Sequence, residues 1–352
     1  MIAIAPRIAP RLAIVMSHAQ RSMGGAMREA VLARAFARQG LEVRVFRLHG
    51  GEALEEETVL DGAVRATFCP ADNPQDIPHR QVSASLKAEL RAFAPGLVLY
   101  KGLGYRVNAD TQAALEPGTA CGFIVGGGVT DPLLDRASLV LGEYREQLSQ
   151  HFRPLFRRGQ ALVLPKYVDL AEAGEGRPVP LADAACDIIN VGNFSDARKN
   201  QVVLVPLAAR HRVTLVGGGT GLGEFRRSVP GRLRARMTFA GRLPHPAVFA
   251  ALRGARLMVH TSTMDGLPRA TVEAMACGVP VIAYRSTIQG GIPHGTAGLL
   301  VAEAALPHAV EMVLADDELR IRMGQQARRH VEKHHGVPAI EAAAGEVLKL
   351  LG

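Results

Sequence analysis

The sequence predicts an α/β protein with two doubly wound, Rossmann-like domains that face each other across a cleft. Three observations support this fold class. The 352 residues suffice for two domains of ordinary size. Short β-type runs alternate with amphipathic segments in both halves, which is typical of parallel sheets covered by helices. The alternation restarts after residues 172–186, which are rich in Gly, Pro and Ala and are predicted to form a linker or a flexible loop.

The first half of the chain is predicted to open with a strand, a glycine turn at Gly24 and Gly25, and a helix that ends at Gln39-Gly40. Apolar residues of this helix share one stripe at helical spacing: Met27, Val31, Leu32, Ala35 and Phe36. Strands of this half are predicted at residues 12–16, 42–48, 96–100, 121–125 and 138–142.

The second half repeats this organisation and ends in helices. Its strands are predicted at residues 187–191, 212–216, 237–241, 256–260 and 280–284. Helices are predicted at residues 303–315, 317–334 and 339–350. We therefore predict an N-terminal domain at 1–168, a C-terminal domain at 169–336, and a terminal helix at 337–352 that packs back on the N-terminal domain.

The charge of the chain narrows its possible partners. A net charge of +8 is compatible with nucleic acid, an anionic membrane surface or anionic small ligands. The basic residues are dispersed, Trp is absent and only 5% of residues are aromatic, so a nucleic-acid groove with stacking platforms is disfavoured. Anionic ligands or anionic lipid remain the better predictions.

The sequence also disfavours a transmembrane helix and a secretory signal peptide. The apolar runs are shorter than the roughly 20 residues that span a bilayer. The N-terminal apolar run lacks a cleavage site and is better interpreted as the first strand. The four cysteines form no C-x-x-C pair, so neither a zinc site nor a disulfide framework is predicted, and a reducing cytoplasm fits.

The segment TMDGLPRATVEAMACGVPV contains the clearest candidate site. Pro268 is predicted to open a helix, because a proline in the first turn leaves no hydrogen bond unmade. The free amides of residues 266–270 and the helix dipole then form an anion site suited to a diphosphate. Asp265 precedes this site, and Glu273 lies about one and a half turns into the helix. The alternative is that Asp265 caps the helix and Glu273 is a solvated helix residue.

This segment resembles the motif of the family 4 retaining glycosyltransferases of GT-B fold. The family pattern is E-G-x-P-x-x-x-x-E-A-x-A-x-G-x-P-V, and the chain has D-G-L-P-R-A-T-V-E-A-M-A-C-G-V-P-V. The resemblance extends over residues 187–301 and more loosely over nearly the whole chain. The first acid of the pair is Asp here, one methylene shorter than the usual Glu.

The resemblance implies roles for the residues of the motif. Asp265 would contact hydroxyls of the donor sugar, and Glu273 would hold the ribose. The amides around Gly266 and Leu267, at the helix start marked by Pro268, would bind sugar and phosphate.

The segment NVGNFSDARKNQ resembles the first strand and loop of the family's nucleotide domain. Lys199 would neutralise the departing diphosphate, with Arg198 beside it. Asn193 stands where the family often has an Arg. Gly218, in a glycine run after the next strand, would approach the base or phosphate. The alternatives are a surface basic pair at 198–199 and glycines that only form a turn.

Residues of the first domain resemble the family less closely. Gly24 and Gly25 would let amides approach the donor phosphates or the acceptor, or they simply form a strand-to-helix turn. His18 and Lys101 lie at strand ends, where open α/β folds bind ligands. The glycines at 126–128 replace the family's usual His, and the usual Glu before the segment HGTAGLLV is absent.

These features predict a metal-independent, retaining glycosyltransferase without a cofactor, for which a nucleotide-diphosphate sugar is the co-substrate. The acceptor is a glycan, a lipid-linked molecule or a small molecule. A cytoplasmic location is predicted, with peripheral contact to anionic lipid at the inner membrane face as an option. Two other functions remain open: a non-catalytic nucleotide-sugar-binding subunit, because of the departures from the family pattern, and a nucleotide-sugar epimerase of the same fold.

Overall fold

The chain divides into two compact units. The structure, a computed structural model, describes residues 11–17, 27–59, 62–126, 130–286 and 290–351. Unit 1 combines residues 1–167 with 337–352, and unit 2 is the continuous stretch 168–336. None of the helices in these described ranges is both long enough and apolar enough to cross a membrane.

Unit 1 consists of a mostly parallel sheet and its helices. Its strands are β1 (Arg11–Met16), β2 (Glu42–His49), β3 (Glu55–Val59), β4 (Val64–Pro70), β5 (Leu97–Lys101), β6 (Ala120–Ile124), β7 (Leu139–Gly142) and β8 (Ala161–Val163). Its first helices are α1 (Arg28–Arg38), α2 (Ala84–Phe93), α3 (Arg106–Gln112), α4 (Arg145–His151) and α5 (Arg153–Arg157). The described strands lie in the order β3-β4-β2-β1-β5-β6-β7-β8, in which β3 alone runs antiparallel to its neighbour.

Unit 2 has a fully parallel sheet. Its helices are α6 (Leu170–Ala173), α7 (Leu222–Ser228), α8 (Gly231–Arg234), α9 (His245–Arg253), α10 (Arg269–Ala276), α11 (Leu306–Ala315) and α12 (Asp317–His334). Its strands are β9 (Cys186–Val191), β10 (Val213–Val216), β11 (Met237–Gly241), β12 (Ala255–His260), β13 (Val281–Tyr284) and β14 (Gly298–Val301). Their order, β11-β10-β9-β12-β13-β14, corresponds to the 3-2-1-4-5-6 order of Rossmann domains.

The last helix, α13 (Val337–Leu351), returns to unit 1 and completes its core. One face of α13 is buried with the apolar stripe of α1, and the four residues of that face are Ile340, Ala343, Ala344 and Val347. Arg38 and Glu341 add an ion pair of 2.5 Å between the two helices. The N-terminal core therefore depends on residues from both ends of the chain.

The two Rossmann-like sheets confirm the predicted fold class, but the sequence analysis missed several strands. Strand β3 is a charged edge strand whose first four residues are exposed, so no alternation of apolar residues marks it. It is stabilised by antiparallel pairing with β4. Strands β8 and β14 are only three and four residues long. Short or solvent-facing strands leave little periodic signal.

The prediction of a linker or flexible loop at residues 172–186 is wrong. This segment belongs to unit 2 and packs on its helices. Arg328 of α12 donates to the carbonyl of Gly174 at 2.8 Å, and Arg253 of α9 donates to that of Glu172 at 2.8 Å. A Cβ on Gly278 would lie 2.1 Å from the carbonyl oxygen of Gly176, so glycine is required for this close approach. The glycines of this segment therefore allow close packing against unit 2 and do not indicate a flexible linker.

Candidate functional site

The candidate residues of unit 2 lie at the switch point of its sheet. The strand order reverses between β9 and β12, and ligands of open α/β sheets bind outside the carboxyl ends of the strands at such a point. The loop after β9 carries Asn193, Arg198 and Lys199, and the loop after β12 carries Asp265. The topology thus brings together two predicted segments that are distant in sequence.

Lys199, Asp265 and His260 form one contact cluster. The Lys199 Nζ lies 2.6 Å from the Asp265 Oδ2, and the His260 Nε2 lies 3.2 Å from the same oxygen. The Lys199 and Asp265 side chains are about a quarter exposed, whereas His260, the last residue of β12, is buried. Thr261 fixes the loops by donating its hydroxyl hydrogen to the Lys199 carbonyl at 2.7 Å. The Lys199–Asp265 pair is therefore accessible to a ligand, while the buried His260 and Thr261 fix its position.

Asp265 is ionised in this arrangement. Burial alone would raise the pKa of its carboxyl group, but hydrogen bonds from His260, Lys199 and Ser262 and the charge of Lys199 together lower that pKa below its ordinary value. The carboxylate makes these bonds rather than capping α10, whose N-terminus has no side-chain cap in the described structure. The alternative role as a helix cap is therefore wrong.

The N-terminus of α10 starts one residue later than predicted. Pro268 is extended, with φ −67° and ψ 137°, and is the N-cap residue rather than part of the first turn. The Leu267 side chain is buried and packs against Gly291, so its backbone is the part that a ligand could contact. The amides after Pro268 lie at the positive end of the dipole of this eight-residue helix. Asp265 precedes them by a few residues.

Glu273 is buried in α10 and bound to a histidine from α9. Its side chain is only 7% exposed, so the alternative of a solvated helix residue is wrong. The His245 Nε2 lies 2.9 Å from the Glu273 Oε1, and the His245 Nδ1 lies 3.1 Å from the Glu172 Oε2. Arg269 adds a longer contact of 3.9 Å to Glu273. Glu273 therefore has a fixed position one helical turn beyond the α10 N-terminus.

The position of His245 between two carboxylates favours its protonated form. The hydrogen bond to Glu273 and then the charges of Glu273 and Glu172 raise the pKa of His245, against the opposing effects of burial and of Arg269. Only the imidazolium donates from both ring nitrogens. Glu172 and Glu273 therefore both accept a hydrogen bond from His245 only when the ring is protonated.

A pH-dependent contribution of His245 to stability is expected. Because the pKa is raised on folding, the contribution is fully present below the unfolded-state pKa of about 6.5 and is lost as the pH rises through the folded-state pKa. We expect at most about 1 kcal/mol, since the ring is partly exposed and solvent screens its charge. The measurement is the free energy of unfolding of wild type and His245→Gln by chemical denaturation between about pH 5.5 and 8.5.

Glu172→Gln provides the matched comparison for this pH series. It removes one of the two charges that raise the His245 pKa, so the loss of stability should begin at a lower pH than in wild type. A difference between wild type and His245→Gln that stays constant across the series would contradict the role given to the proton.

The other predicted donor residues lie around the β9 and β10 loops. Arg198 is more than half exposed, and its guanidinium forms two hydrogen bonds to Asp196 at 2.9 and 2.8 Å. Asn193 accepts from the Ser195 amide at 2.8 Å, and its Oδ1 would lie 2.5 Å from a Cβ at Gly219. Gly218 faces Arg242, whose Cβ lies 3.2 Å from the place of a Cβ on Gly218. Lys199 is thus paired with Asp265, while Arg198 is paired within its own loop.

Of the residues predicted in the first domain, the structure describes Lys101 at the end of β5, paired with Glu29 at 2.7 Å. His18, Gly24 and Gly25 lie outside the described residues. Two of the three glycines at 126–128 also lie outside them.

Two histidines of the candidate site, His260 and His245, were not predicted from the sequence. His260 ends a strand immediately before the motif, and its position at a carboxyl strand end was a usable signal. His245 begins α9, twenty-eight residues before Glu273, and nothing local in the sequence indicates that α9 and α10 bring the two side chains into contact.

Comparisons with known proteins agree with the motif. Residues 185–316 match the family model described as Glycosyl transferases group 1. A D-inositol 3-phosphate glycosyltransferase of Corynebacterium glutamicum (strain R) is 37% identical over 103 residues, which cover 27% of this chain and 24% of that protein. An N-acetyl-alpha-D-glucosaminyl L-malate synthase of Bacillus anthracis is 30% identical over 162 residues, covering 41% of this chain and 40% of that protein. The chain therefore spans less than half the length of these curated relatives.

Solved structures resemble nearly the whole chain. Sucrose-phosphate synthase (tll1590) from Thermosynechococcus elongatus has a TM-score of 0.73 at 20% identity and covers 97% of this chain and 99% of its own. Anabaena Alr3699/HepE, in complex with UDP-glucose, has a TM-score of 0.69 at 15% identity and covers 96% and 99%. The two Rossmann-like units and this likeness define a GT-B fold. The match of residues 185–316 to the glycosyl transferases group 1 model confirms the resemblance seen in the motif.

Proposed function

We propose that the chain is a retaining glycosyltransferase that moves a sugar from a nucleotide-diphosphate sugar to an acceptor. The observation that carries this proposal is the Lys199–Asp265 pair, 2.6 Å apart at the switch point of unit 2. Asp265 is three residues before Pro268, where the α10 N-terminus begins. A cation, a carboxylate and a set of helix amides are what a diphosphate joined to a sugar requires.

Lys199 and the α10 amides would stabilise the leaving diphosphate. Negative charge grows on the leaving group as the glycosidic bond breaks, and fixed positive groups lower the energy of that transition state. A bound diphosphate would compete with Asp265 for Lys199, which leaves the Asp265 carboxylate available to accept hydrogen bonds from sugar hydroxyls. His260 would hold Asp265 in place during this exchange. In this scheme the protein supplies the compensating charge, and neither a metal nor a cofactor is needed.

Glu273 would accept hydrogen bonds from the ribose diol. A carboxylate with two oxygens suits two adjacent hydroxyls, and charged acceptors form the stronger hydrogen bonds. His245 bonds to Oε1 of Glu273 and so fixes the orientation of the carboxylate. The match of residues 185–316 to the family model supports this assignment, because Glu273 takes the place of the second acid in the family motif that the sequence resembles.

The comparisons guide the choice of donor. Alr3699/HepE structures contain UDP, or UDP-glucose, and a trehalose-6-phosphate protein of E. coli was solved with UDP-2-fluoro glucose. The names of the two curated relatives mention inositol 3-phosphate and malate, so relatives of this chain differ in acceptor. We therefore propose UDP-sugars as the first donors to be tested.

The test is a panel of nucleotide sugars incubated with the full chain and candidate acceptors. Release of the nucleoside diphosphate reports turnover, and proton NMR of the product gives the configuration at the anomeric carbon. Retention with an α-linked donor sugar should give an α-linked product. An inverted product would refute the retaining mechanism, and nucleotide binding without turnover on any acceptor would favour the non-catalytic binding subunit instead.

A further inference from the structure

Unit 2 carries a surface that is rich in arginine side chains. Residues 225–242 contain six arginines and no aspartate or glutamate. Two of these arginines lie in the last turn of α7, two lie in α8, and another directly precedes β11. All of them are exposed. We call the following five residues the arginine surface: Arg226, Arg227, Arg232, Arg234 and Arg236.

The arginine surface lies toward the amino edge of the unit 2 sheet. Arg236 directly precedes β11, and its Nη1 donates to the carbonyl of Arg210, shortly before β10, at 2.9 Å. Because α7 leads from the end of β10 back to the start of β11, its last turn lies toward the same edge. The Lys199–Asp265 pair lies beyond the carboxyl edge, and strands of four to six residues place about 13–20 Å between the two edges. The arginine surface is therefore separate from the donor site.

Acidic side chains neutralise little of this charge. Within the described part of the chain, none of the five arginines forms an ion pair with a carboxylate, and the Arg226 guanidinium lies 5.8 Å from the centroid of the Phe239 ring. Glu224 is in the first turn of α7, toward the carboxyl edge. Glu311 is paired with Arg210 at 3.7 Å. The arginine surface thus presents its positive charge to solvent.

The chemistry of the arginine surface fits an array of lipid phosphate groups. A guanidinium binds two phosphate oxygens through parallel hydrogen bonds and stays charged at every physiological pH. Among the described residues, no exposed large apolar side chain lies within 206–245, so the contact would be made with head groups and without insertion. Phe225 and Phe239 pack against each other, with ring centroids 6.2 Å apart, and neither ring is exposed as a platform for a nucleic-acid base.

A second copy of the chain is a poorer partner for this surface than a lipid bilayer. Strand β3 offers three exposed glutamates at residues 55–57, but exposed ion pairs contribute little to binding. The net charge of +8 also makes two copies repel each other. An anionic bilayer has the opposite sign over its whole area, and each arginine held near it strengthens binding about fivefold.

We propose that the arginine surface docks unit 2 on an anionic phospholipid bilayer, with Arg232 and Arg234 of α8 as central contacts. The amino edge of the unit 2 sheet then faces the lipid. The carboxyl edge, with Lys199 and Asp265, faces away from it, toward nucleotide sugar in solution. Docking requires no sugar transfer, so the inference goes beyond the proposed function and is tested independently of it.

The first experiment is co-sedimentation of the full chain with vesicles, without donor or acceptor. The vesicles consist of phosphatidylcholine alone or of phosphatidylcholine and phosphatidylglycerol in equal parts. We expect binding only to the vesicles with phosphatidylglycerol, weakened about tenfold or more in about 1 M salt, where the Debye length falls to about 3 Å. Equal binding to both kinds of vesicle, or binding that salt leaves unchanged, would overturn the proposal.

Arg232→Gln/Arg234→Gln locates the contact on unit 2. Both side chains are exposed, so folding should persist in this variant, and a melting curve verifies it. We expect about 25-fold weaker binding to the anionic vesicles, about fivefold for each charge removed. Arg232→Lys/Arg234→Lys keeps both charges and should bind nearly as well as wild type. Wild-type binding by the glutamine variant would show that the proposed surface is wrong.

Arg157→Gln/Arg158→Gln is the matched control. It removes the same charge from exposed positions at the end of α5, in unit 1. We expect it to weaken vesicle binding less than about fivefold, because the net charge falls equally but the arginine surface is intact. A loss as large as that of the unit 2 variant would mean that general charge, and not this surface, attracts the lipid.

Two further measurements decide between lipid and the other partners. A DNA duplex is titrated at the phosphate concentration of the vesicles, and the lipid-free chain is examined by sedimentation velocity at low salt. We expect weaker binding to the duplex than to vesicles, and a monomer in the second measurement. Tighter duplex binding, or self-association, that Arg232→Gln/Arg234→Gln abolishes would replace lipid by nucleic acid or by a second copy.

A titration with UDP separates the arginine surface from the donor site. Calorimetry should give the same UDP affinity for wild type and for Arg232→Gln/Arg234→Gln, because the two sites lie at opposite edges of the sheet. Should no sugar transfer be found with any acceptor, the vesicle experiment still decides whether the chain docks on lipid. A parallel loss of UDP and vesicle binding would contradict a separate docking surface.

Discussion

Lys199→Ala is expected to reduce sugar transfer about 10²- to 10³-fold in kcat, the usual cost of removing one group that stabilises developing negative charge. The ammonium is 23% exposed and bonded to Asp265, so it is positioned to exchange this partner for the leaving diphosphate. Asp265 retains His260 and Ser262 as hydrogen-bond partners in the variant, so the loop should keep its structure. The measurement is initial-rate kinetics at saturating donor, with a melting curve to verify folding.

Arg198→Ala is the matched comparison for Lys199→Ala. Both residues are cations of the same loop, but Arg198 is bonded to Asp196 and is more than half exposed. We expect less than about a tenfold effect from Arg198→Ala, since exposed ion pairs contribute little. If both variants lost activity equally, general positive charge rather than the Lys199 contact would explain the result. If Lys199→Ala retained wild-type kcat, its catalytic role would be wrong.

Glu273→Gln is expected to weaken binding of the donor nucleotide about 10- to 100-fold, the range for losing a hydrogen bond to a charged group. The amide keeps the size of the side chain in its buried position in α10 but offers one acceptor oxygen instead of two. In the proposed role Glu273 contacts the ribose, which is remote from the reacting bond, so kcat at saturating donor should fall less than affinity. Titration calorimetry with the nucleoside diphosphate and steady-state kinetics provide the two quantities.

Glu172→Gln controls for the loss of charge in Glu273→Gln. It removes a carboxylate from the opposite side of the same histidine, where His245 Nδ1 rather than Nε2 is the neighbour. Donor affinity should change little in this variant. Equal weakening by the two substitutions would show that the electrostatic field around His245, and not a contact of Glu273, determines affinity.

Local signals in the sequence predicted several elements of unit 2, including the helix of the candidate site. Helix α12 has the predicted bounds, Asp317–His334. Helix α10 was found because Pro268 and Gly278 mark its two ends, although Pro268 is the N-cap. Strand β3 was missed because its stability comes from pairing with β4, and pairing leaves no periodic pattern in EEETV. Local chemistry is visible in a sequence, whereas pairing between strands is not.

The contacts within the candidate site were less predictable than its residues. Asp265 and Lys199 were assigned separate roles from the motif, and the structure places them in one ion pair 66 positions apart. The strand order that puts β9 beside β12 makes this contact, and that order is a property of the sheet rather than of either segment. The contact of His245 with Glu273 depends in the same way on packing between α9 and α10.

The return of α13 to unit 1 leaves unit 2 as one uninterrupted stretch of chain whose two ends meet. The Val168 amide donates to the His335 carbonyl at 3.0 Å, so the first residue of unit 2 is hydrogen-bonded to its next-to-last residue. Recombination at two points in a gene could therefore exchange the whole of unit 2 between relatives. The strand pairing of unit 1 would not change. Unit 1 is formed by the two stretches of chain that flank unit 2, so it cannot be exchanged as a single piece.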